Sequence, residues 1–216
     1  MALVDGRVCV DRFEAALEQL LEDGSVRAWS PHQSPVNVSV RAVALEGLTP
    51  QAHISGVQAE SACRAAGKRL CSADEWELAC RGSEGHAYPY GPTRREGVCN
   101  DDGRTGHPVA EVTRRFGLDP DRMWYEGMSH PGLNQLPDTL EPAGSHGECR
   151  SDYGTHDMVG NLHEWIDDPA GTFRGGFFMD TQINGEGCEY ATTAHGRDYR
   201  DYSTGFRCCR DPEPLD

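Results

Sequence analysis

The sequence predicts an α+β fold with long loops, and three observations predict it. Two stretches, 55–68 and 72–82, carry helix caps and stops. Short segments at 40–47, 172–180 and 203–211 read as strands. Hydrophobic residues are only 37% of the 216 residues, while Gly 25 and Pro 13 are high together, so much of the chain is expected in loops and turns. The length suits one domain, taken as residues 1–216. A chain this long can bury a core, but a loop-rich one needs staples. Nine cysteines predict what they are: a disulfide framework in an oxidising compartment. Nine is odd, so at least one thiol is free, metal-bound or paired with another chain. A cytosolic metal-cysteine protein is the rival reading, but its zinc sites favour CxxC pairs. Here the only close pair is Cys208-Cys209.

The elements follow in order. VRAVALEG (40–47) alternates like a strand. SGVQAESACRAAGK (55–68) reads as a helix: Ser55 caps it, Val57, Ala62, Cys63 and Ala66 lie near one face, and Gly67 ends it. SADEWELACRG (72–82) is a second helix, with Ser72 and Glu75 as a capping box and Gly82 as the stop. Residues 83–156 are dominated by Gly, Pro, His and Asp, so little regular structure is expected there. DMVGNLHEWIDD (157–168) reads as a compact turn running into a strand. TFRGGFFMD and STGFRCCRD close the domain as strands.

Composition also excludes partners. A net charge of −15 argues against nucleic acid and anionic membrane surfaces, which need a basic face. No apolar run approaches the ~20 residues of a membrane span. MALVDGRVCVDRF has no signal-peptide core. The cysteines nevertheless favour a secreted or periplasmic protein over a reduced cytosolic one, with the export signal lying outside this sequence.

The stretch FRGGFFMDTQINGEGCEYATTAH (173–195) raises the functional question. A buried-looking strand gives way to a loop carrying Asp180, Cys188 and His195. A surface loop with a disulfide is one reading; a metal or redox site is the other.

Four ordered stretches carry a resemblance. They are AGKRLCSADEWELACRG, YPYG (88–91), YGTHDMVGNLHEWIDD with FRGGFF, and STGFRCC, and VCVDRFEA near the start also fits. In order and spacing they resemble the formylglycine-generating enzyme, or sulfatase-modifying factor, family, over about residues 55–210. The resemblance implies a formylglycine-generating-enzyme-like fold, distantly similar to C-type lectins, with little regular secondary structure. It implies Ca²⁺ at the DMVGNLHEW turn, through the carbonyls of Asp157, Gly160 and Leu162 and the carboxylate of Glu164, which is hard-oxygen chemistry suited to that ion. A second calcium is implied at Asn100 with the carbonyl of Asp101. The plain alternative at the first turn is a salt bridge made by Glu164. The resemblance pairs Cys63 with Cys208. Cys80 matches half of a family disulfide whose usual partner position lies near Thr193; Cys188 is the alternative partner, and that pairing would remove it from any metal site. Cys99 and Cys149 flank the long loop and are candidates to pair. Cys9, Cys71 and Cys209 remain, one of them unpaired. Adjacent Cys208 and Cys209 point opposite ways on a strand, so they serve different partners.

The sequence departs from the family where its chemistry lies. Family enzymes oxidise a substrate cysteine with O₂ and a copper ion held by two cysteines, and soft thiolates select Cu(I). The first copper cysteine is Asp180 here, and Cys188 is the nearest match to the second. The serine after the GG motif is Phe177, and the aromatic residue of the GN-x-W-EW motif is His163. Formylglycine generation by the known route is therefore not expected. Asp180, His163 and His195 are one carboxylate and two imidazoles, a set suited to Fe(II), Zn or Cu(II) with open positions. With Cys188 they are the candidate catalytic residues, and Tyr199 and Tyr202 are candidates to bind substrate. Two functions compete. One is a metal-dependent oxidoreductase acting on a peptide or thiol. The other is a non-catalytic binding module tied by calcium and disulfides.

Overall fold

The computed structural model describes residues 1–101 and 106–213. Short elements dominate it. In chain order they are β1 (Ala2–Val4), β2 (Val8–Val10), β3 (Ala16–Leu20), β4 (Val26–Ala28), β5 (Val40–Val43), α1 (Gly56–Ala65), β6 (Arg69–Leu70), α2 (Ala73–Arg81), α3 (Pro108–Phe116), β7 (His163–Trp165), β8 (Phe173–Arg174), β9 (Ala191–Thr192), β10 (Thr204–Phe206) and β11 (Cys208–Arg210). They form three small sheets, ordered β1-β2-β11-β6, β10-β7-β8-β9 and β4-β3-β5. The first brings the two ends of the chain together, because β2 near the start pairs antiparallel with β11 near the end. In the second, β7 runs parallel to β10 and antiparallel to β8.

Both expected helices form for the expected local reasons. Ser55 accepts from Gln58 N and Ser72 from Glu75 N, each completed as a capping box by the return bond. The buried face of α1 is Gly56, Ala59, Ala62 and Cys63, while Val57 is exposed. Trp76 anchors α2 with its side chain fully buried, and Leu78 packs beside it partly buried. Lys68 pairs with Asp11, and Arg69 with Glu75 and Asp211.

The expectation of little regular structure over 83–156 is corrected in one place. Helix α3 lies inside that stretch, with His107 as cap, Pro108 in the first turn and Gly117 in the left-handed conformation at its end. Its Val109 and Val112 are fully buried, against Leu133, Phe178 and Tyr202. A π-helical turn follows at Met123–Gly127.

Four disulfides tie these elements: Cys63–Cys208, Cys71–Cys209, Cys80–Cys188 and Cys99–Cys149. Cys9 is the free thiol among the described residues. The neighbours Cys208 and Cys209 do serve opposite sides, one reaching α1 and the other the segment before α2. Disulfides are chemistry of an oxidising compartment. Among the described residues no helix is long and apolar enough to cross a membrane.

Candidate functional site

The site is organised by β7, whose successive residues His163, Glu164 and Trp165 point to alternate faces. Glu164 is completely buried. Its two oxygens accept from Arg207, Nε to Oε2 at 2.6 Å and Nη2 to Oε1 at 2.6 Å, and Trp76 Nε1 adds 2.7 Å to Oε2. Arg207 spends its remaining donors on the carbonyls of Asp11, Arg12 and His156, at 3.1, 3.4 and 2.8 Å. The carboxylate expected to close a calcium cage is thus already compensated by a guanidinium. The turn before it is formed as expected, with Asp157, Gly160 and Asn161 all at positive φ. A Cβ on Gly160 would run into the carbonyl of Asn100. The turn is held from outside by Glu14, which accepts from Leu162 N at 3.1 Å and from Asn161 Nδ2 at 2.5 Å. Burial pushes the Glu14 carboxyl well up, and that of Asp157 up to about 6.

Beside this knot lies the hollow expected for the second calcium. It measures about 210 Å³, with Asn100, Asp101, Asp138, Glu141 and His146 in its wall. Its donors are mainly oxygen, the kind that suits a hard cation, but the Asp101 carboxylate already accepts from Arg94 at 2.9 and 3.1 Å and Glu141 faces His146 at 3.0 Å. Asn100 Nδ2 donates to Thr139 O at 2.8 Å and to Asn161 Oδ1 at 2.9 Å, which sets the side chain against the knot.

On the other face of β7, His163 is buried among Phe173, Phe177 and Tyr190, with ring centroids at 4.6, 4.8 and 5.4 Å. Burial, reinforced by nearby His195, pushes its pKa down to about 3 and keeps it neutral. Its Nε2 faces Tyr190 OH at 3.3 Å and its Nδ1 faces Ser203 Oγ at 3.2 Å. Tyr190 OH donates to Asp180 Oδ2 at 3.0 Å, and Ser203 Oγ donates to Asp201 Oδ1 at 2.7 Å. A continuous chain results: Asp180, Tyr190, His163, Ser203, Asp201. With both carboxylates ionised, its four contacts hold only three protons, one each on Tyr190, His163 and Ser203. Burial raises the Asp201 pKa. Tyr199 OH donates to the other Asp201 oxygen at 2.6 Å.

Asp180 sits where the double glycine turns the chain back. Gly175 and Gly176 have φ of 83° and 70°, and a Cβ on Gly176 would meet the Asp180 carbonyl. Phe177 and Asp180 then close on each other, each N–H donating to the other's carbonyl at 2.9 Å. Asp180 Oδ1 accepts from the backbone of Gln182 and Ile183 at 2.9 and 3.0 Å. His195 is exposed and lies flat on Tyr199, centroids 3.6 Å apart and planes 6° off parallel. Tyr202 is buried against Phe177 and Phe178.

The structure therefore joins His163 to Asp180 through Tyr190, while His195, near enough to depress the His163 pKa, stacks on Tyr199 at the surface. Among the described residues no group of three His, Cys, Asp or Glu side chains converges as a metal site. The arrangement does not fit a metal held by His163, Asp180 and His195 together. The candidate role of Cys188 as a catalytic or copper thiol is corrected: it is fully buried and bonded to Cys80. Sequence reasoning missed Glu14, Tyr190, Ser203 and Arg207. Arg207 and Ser203 fall within the quoted STGFRCC stretch, and Tyr190 within the questioned loop; Glu14 carries no local signal.

Comparison with known proteins follows from this geometry. The family profile described as "Sulfatase-modifying factor enzyme 1-like domain" matches residues 8–212. The bovine (Bos taurus) protein named "Inactive C-alpha-formylglycine-generating enzyme 2" is 29% identical over 178 residues, covering 74% of this chain and 49% of that protein. The chain thus spans about half the length of that curated relative. Among solved structures, PvdO from Pseudomonas aeruginosa aligns with TM-score 0.51 at 16% identity, covering 80% of this chain and 68% of that one. The Major Tropism Determinant I1 variant aligns with TM-score 0.55 at 13% identity, covering 97% and 51%. At these identities the structural neighbours speak for the fold alone. It is α+β, of the formylglycine-generating-enzyme-like and C-type-lectin-like kind, with little regular secondary structure.

Proposed function

This chain belongs to the sulfatase-modifying factor enzyme 1-like family, and we propose that within it the chain is a secreted or periplasmic binding module for a peptide or protein partner. What carries the reading is that three of the candidates for redox chemistry, Cys188, Asp180 and His163, are already engaged. Cys188 is bonded to Cys80. Both Asp180 oxygens accept from the loop and from Tyr190. Both His163 nitrogens face hydroxyls. The word "inactive" in the bovine relative's name supports the same reading. Calcium enters as a structural ion held at the Asn100 hollow, where it would fix the loop against the Asp157–Glu164 turn.

A second reading, a metal-dependent oxidoreductase acting on a peptide or thiol, has one observation in its favour. His163 and Asp180 are joined through Tyr190, so a rotation of that phenol would free one nitrogen and one oxygen together. Metal analysis decides between the two. Protein carrying Cys9→Ser, so that the free thiol takes no copper, is titrated with Cu(I), Fe(II) and Zn(II) against a competing chelator. Oxygen uptake is then followed with a thiol reductant and a cysteine peptide. The binding-module reading expects no stoichiometric transition metal and no uptake above buffer. One metal per chain, lost in both His163→Ala and Asp180→Ala and accompanied by oxygen uptake, would overturn it.

A further inference from the structure

We propose that the cavity between the π-helical turn and the 198–201 turn receives a basic side chain, lysine or arginine, of an extended partner chain. The inference rests on the binding-module reading and names the chemistry of what is bound. The cavity holds about 280 Å³, with Trp124 and Tyr125 on one wall and Asp198, Tyr199 and Asp201 on the other. That is just below the ~300 Å³ lower end of small-molecule pockets, and so suits one long side chain.

The aromatic wall is built, not incidental. The π-helical turn Met123–Gly127 presents Trp124 and Tyr125 at 56% and 76% exposure. Such turns recur at functional sites. Trp124 is held edge-on to His107, centroids 4.9 Å apart, and no cation of this chain lies over its face or that of Tyr125 among the described residues. The walls are joined where Tyr202 N donates to Met128 O at 3.3 Å. Opposite, Asp198 makes no hydrogen bond or ion pair among the described residues. Open aromatic faces and a free carboxylate are the two elements that select a cation. Arg200 on the rim is the opposing charge. Of the two carboxylates in the lining Asp201 is buried and engaged by Tyr199 and Ser203, so Asp198 faces the partner as the free carboxylate, on a chain of net charge −15.

The test uses the full chain and its own tryptophan. Trp76 and Trp165 are fully buried, Trp29 is half-buried and Trp124 is exposed, so the cavity's signal is the part of the response lost in Trp124→Phe. An acetylated Gly-Lys-Gly-Lys-Gly amide and its glutamate counterpart are titrated at low and high salt. A saturable response to the lysine peptide is expected, weakened by salt; its absence in Trp124→Phe assigns the signal to this tryptophan. Asp198→Asn should weaken it about five-fold, and Arg200→Glu strengthen it by a similar factor, the scale of one exposed charge or cation–π contact. A glutamate peptide binding as well as the lysine one, or neither binding, overturns the proposal. So does an unchanged response in Asp198→Asn. None of these results touches the metal and oxygen measurements, which judge the binding-module reading separately.

Discussion

Two consecutive residues of β7 face opposite kinds of surroundings. Glu164 points into a closed knot, where every oxygen and every guanidinium donor has a partner. His163 points into a chain of polar groups walled by aromatic rings. The alternation of a single strand separates what holds the fold from what varies in it. On the knot side the family motifs are kept. On the other side a histidine stands for the motif's aromatic residue and an aspartate for its copper cysteine. Architecture thus persists within one side chain's reach of positions whose residue types depart from the family motif.

The contrast can be broken first at the knot. Arg207→Met leaves Glu164 buried without its counter-charge and should cost about 3–5 kcal/mol in urea unfolding, the range for breaking a buried pair from one side. The double variant Glu164→Leu with Arg207→Met should recover much of that loss, since no charge is then left stranded. A double variant as unstable as the single one would mean that packing, not charge, governs the knot.

Next comes the Cys80–Cys188 bond, which ties α2 to the loop carrying Asp180. Replacing both cysteines by serine should cost about 2–5 kcal/mol, read from the thermal midpoint, and should raise hydrogen exchange in 181–190 more than around β7. Uniform exchange across both regions would remove the distinction between them.

His163 provides the smaller, signed test. Its folded-state pKa is pushed from 6.5 down to about 3, so the unfolded chain binds a proton that the folded chain refuses. Its contribution is fully present above the unfolded value and is lost as pH falls from about 6.5 toward 3. Measured against His163→Phe, wild type should lose up to ~1.4 kcal/mol per pH unit over that window. Using the difference cancels the opposite trend from Glu14 and Asp157, whose raised pKa values favour the folded state at lower pH. A difference independent of pH would mean that His163 is solvated. The smallest effect belongs to Trp124→Ala, expected within about 0.5 kcal/mol as a surface change.

Elements with local chemistry were legible in the sequence. The two capped helices and the 157–168 turn carry their signals within a few residues. Helix α3 carried them too, in Pro108, Gly117 and the Val109–Val112 spacing, but the Gly, Pro and His around it masked them. The knot was not legible, because Arg207 meets Glu164 across 43 residues and Glu14 meets Leu162 across 148. Pairing of that kind has no period to read. The trio of candidate ligands was chosen for residue type and position after a motif. Only packing could tell that Tyr190 stands between two of them and that Tyr199 claims the third.

The adjacent cysteines on β11 impose an order of events on biosynthesis. Cys63 and Cys71 wait for partners 145 and 138 residues further on. Both rings close only when the final strand has emerged and taken its place between β2 and β6. Until then two thiols near α1 and α2 are open to trapping by Cys80, Cys99 or Cys149. A chain halted just before β11 would be left with those thiols permanently unmatched, and a quality-control machinery that recognises exposed thiols could single it out from a finished molecule.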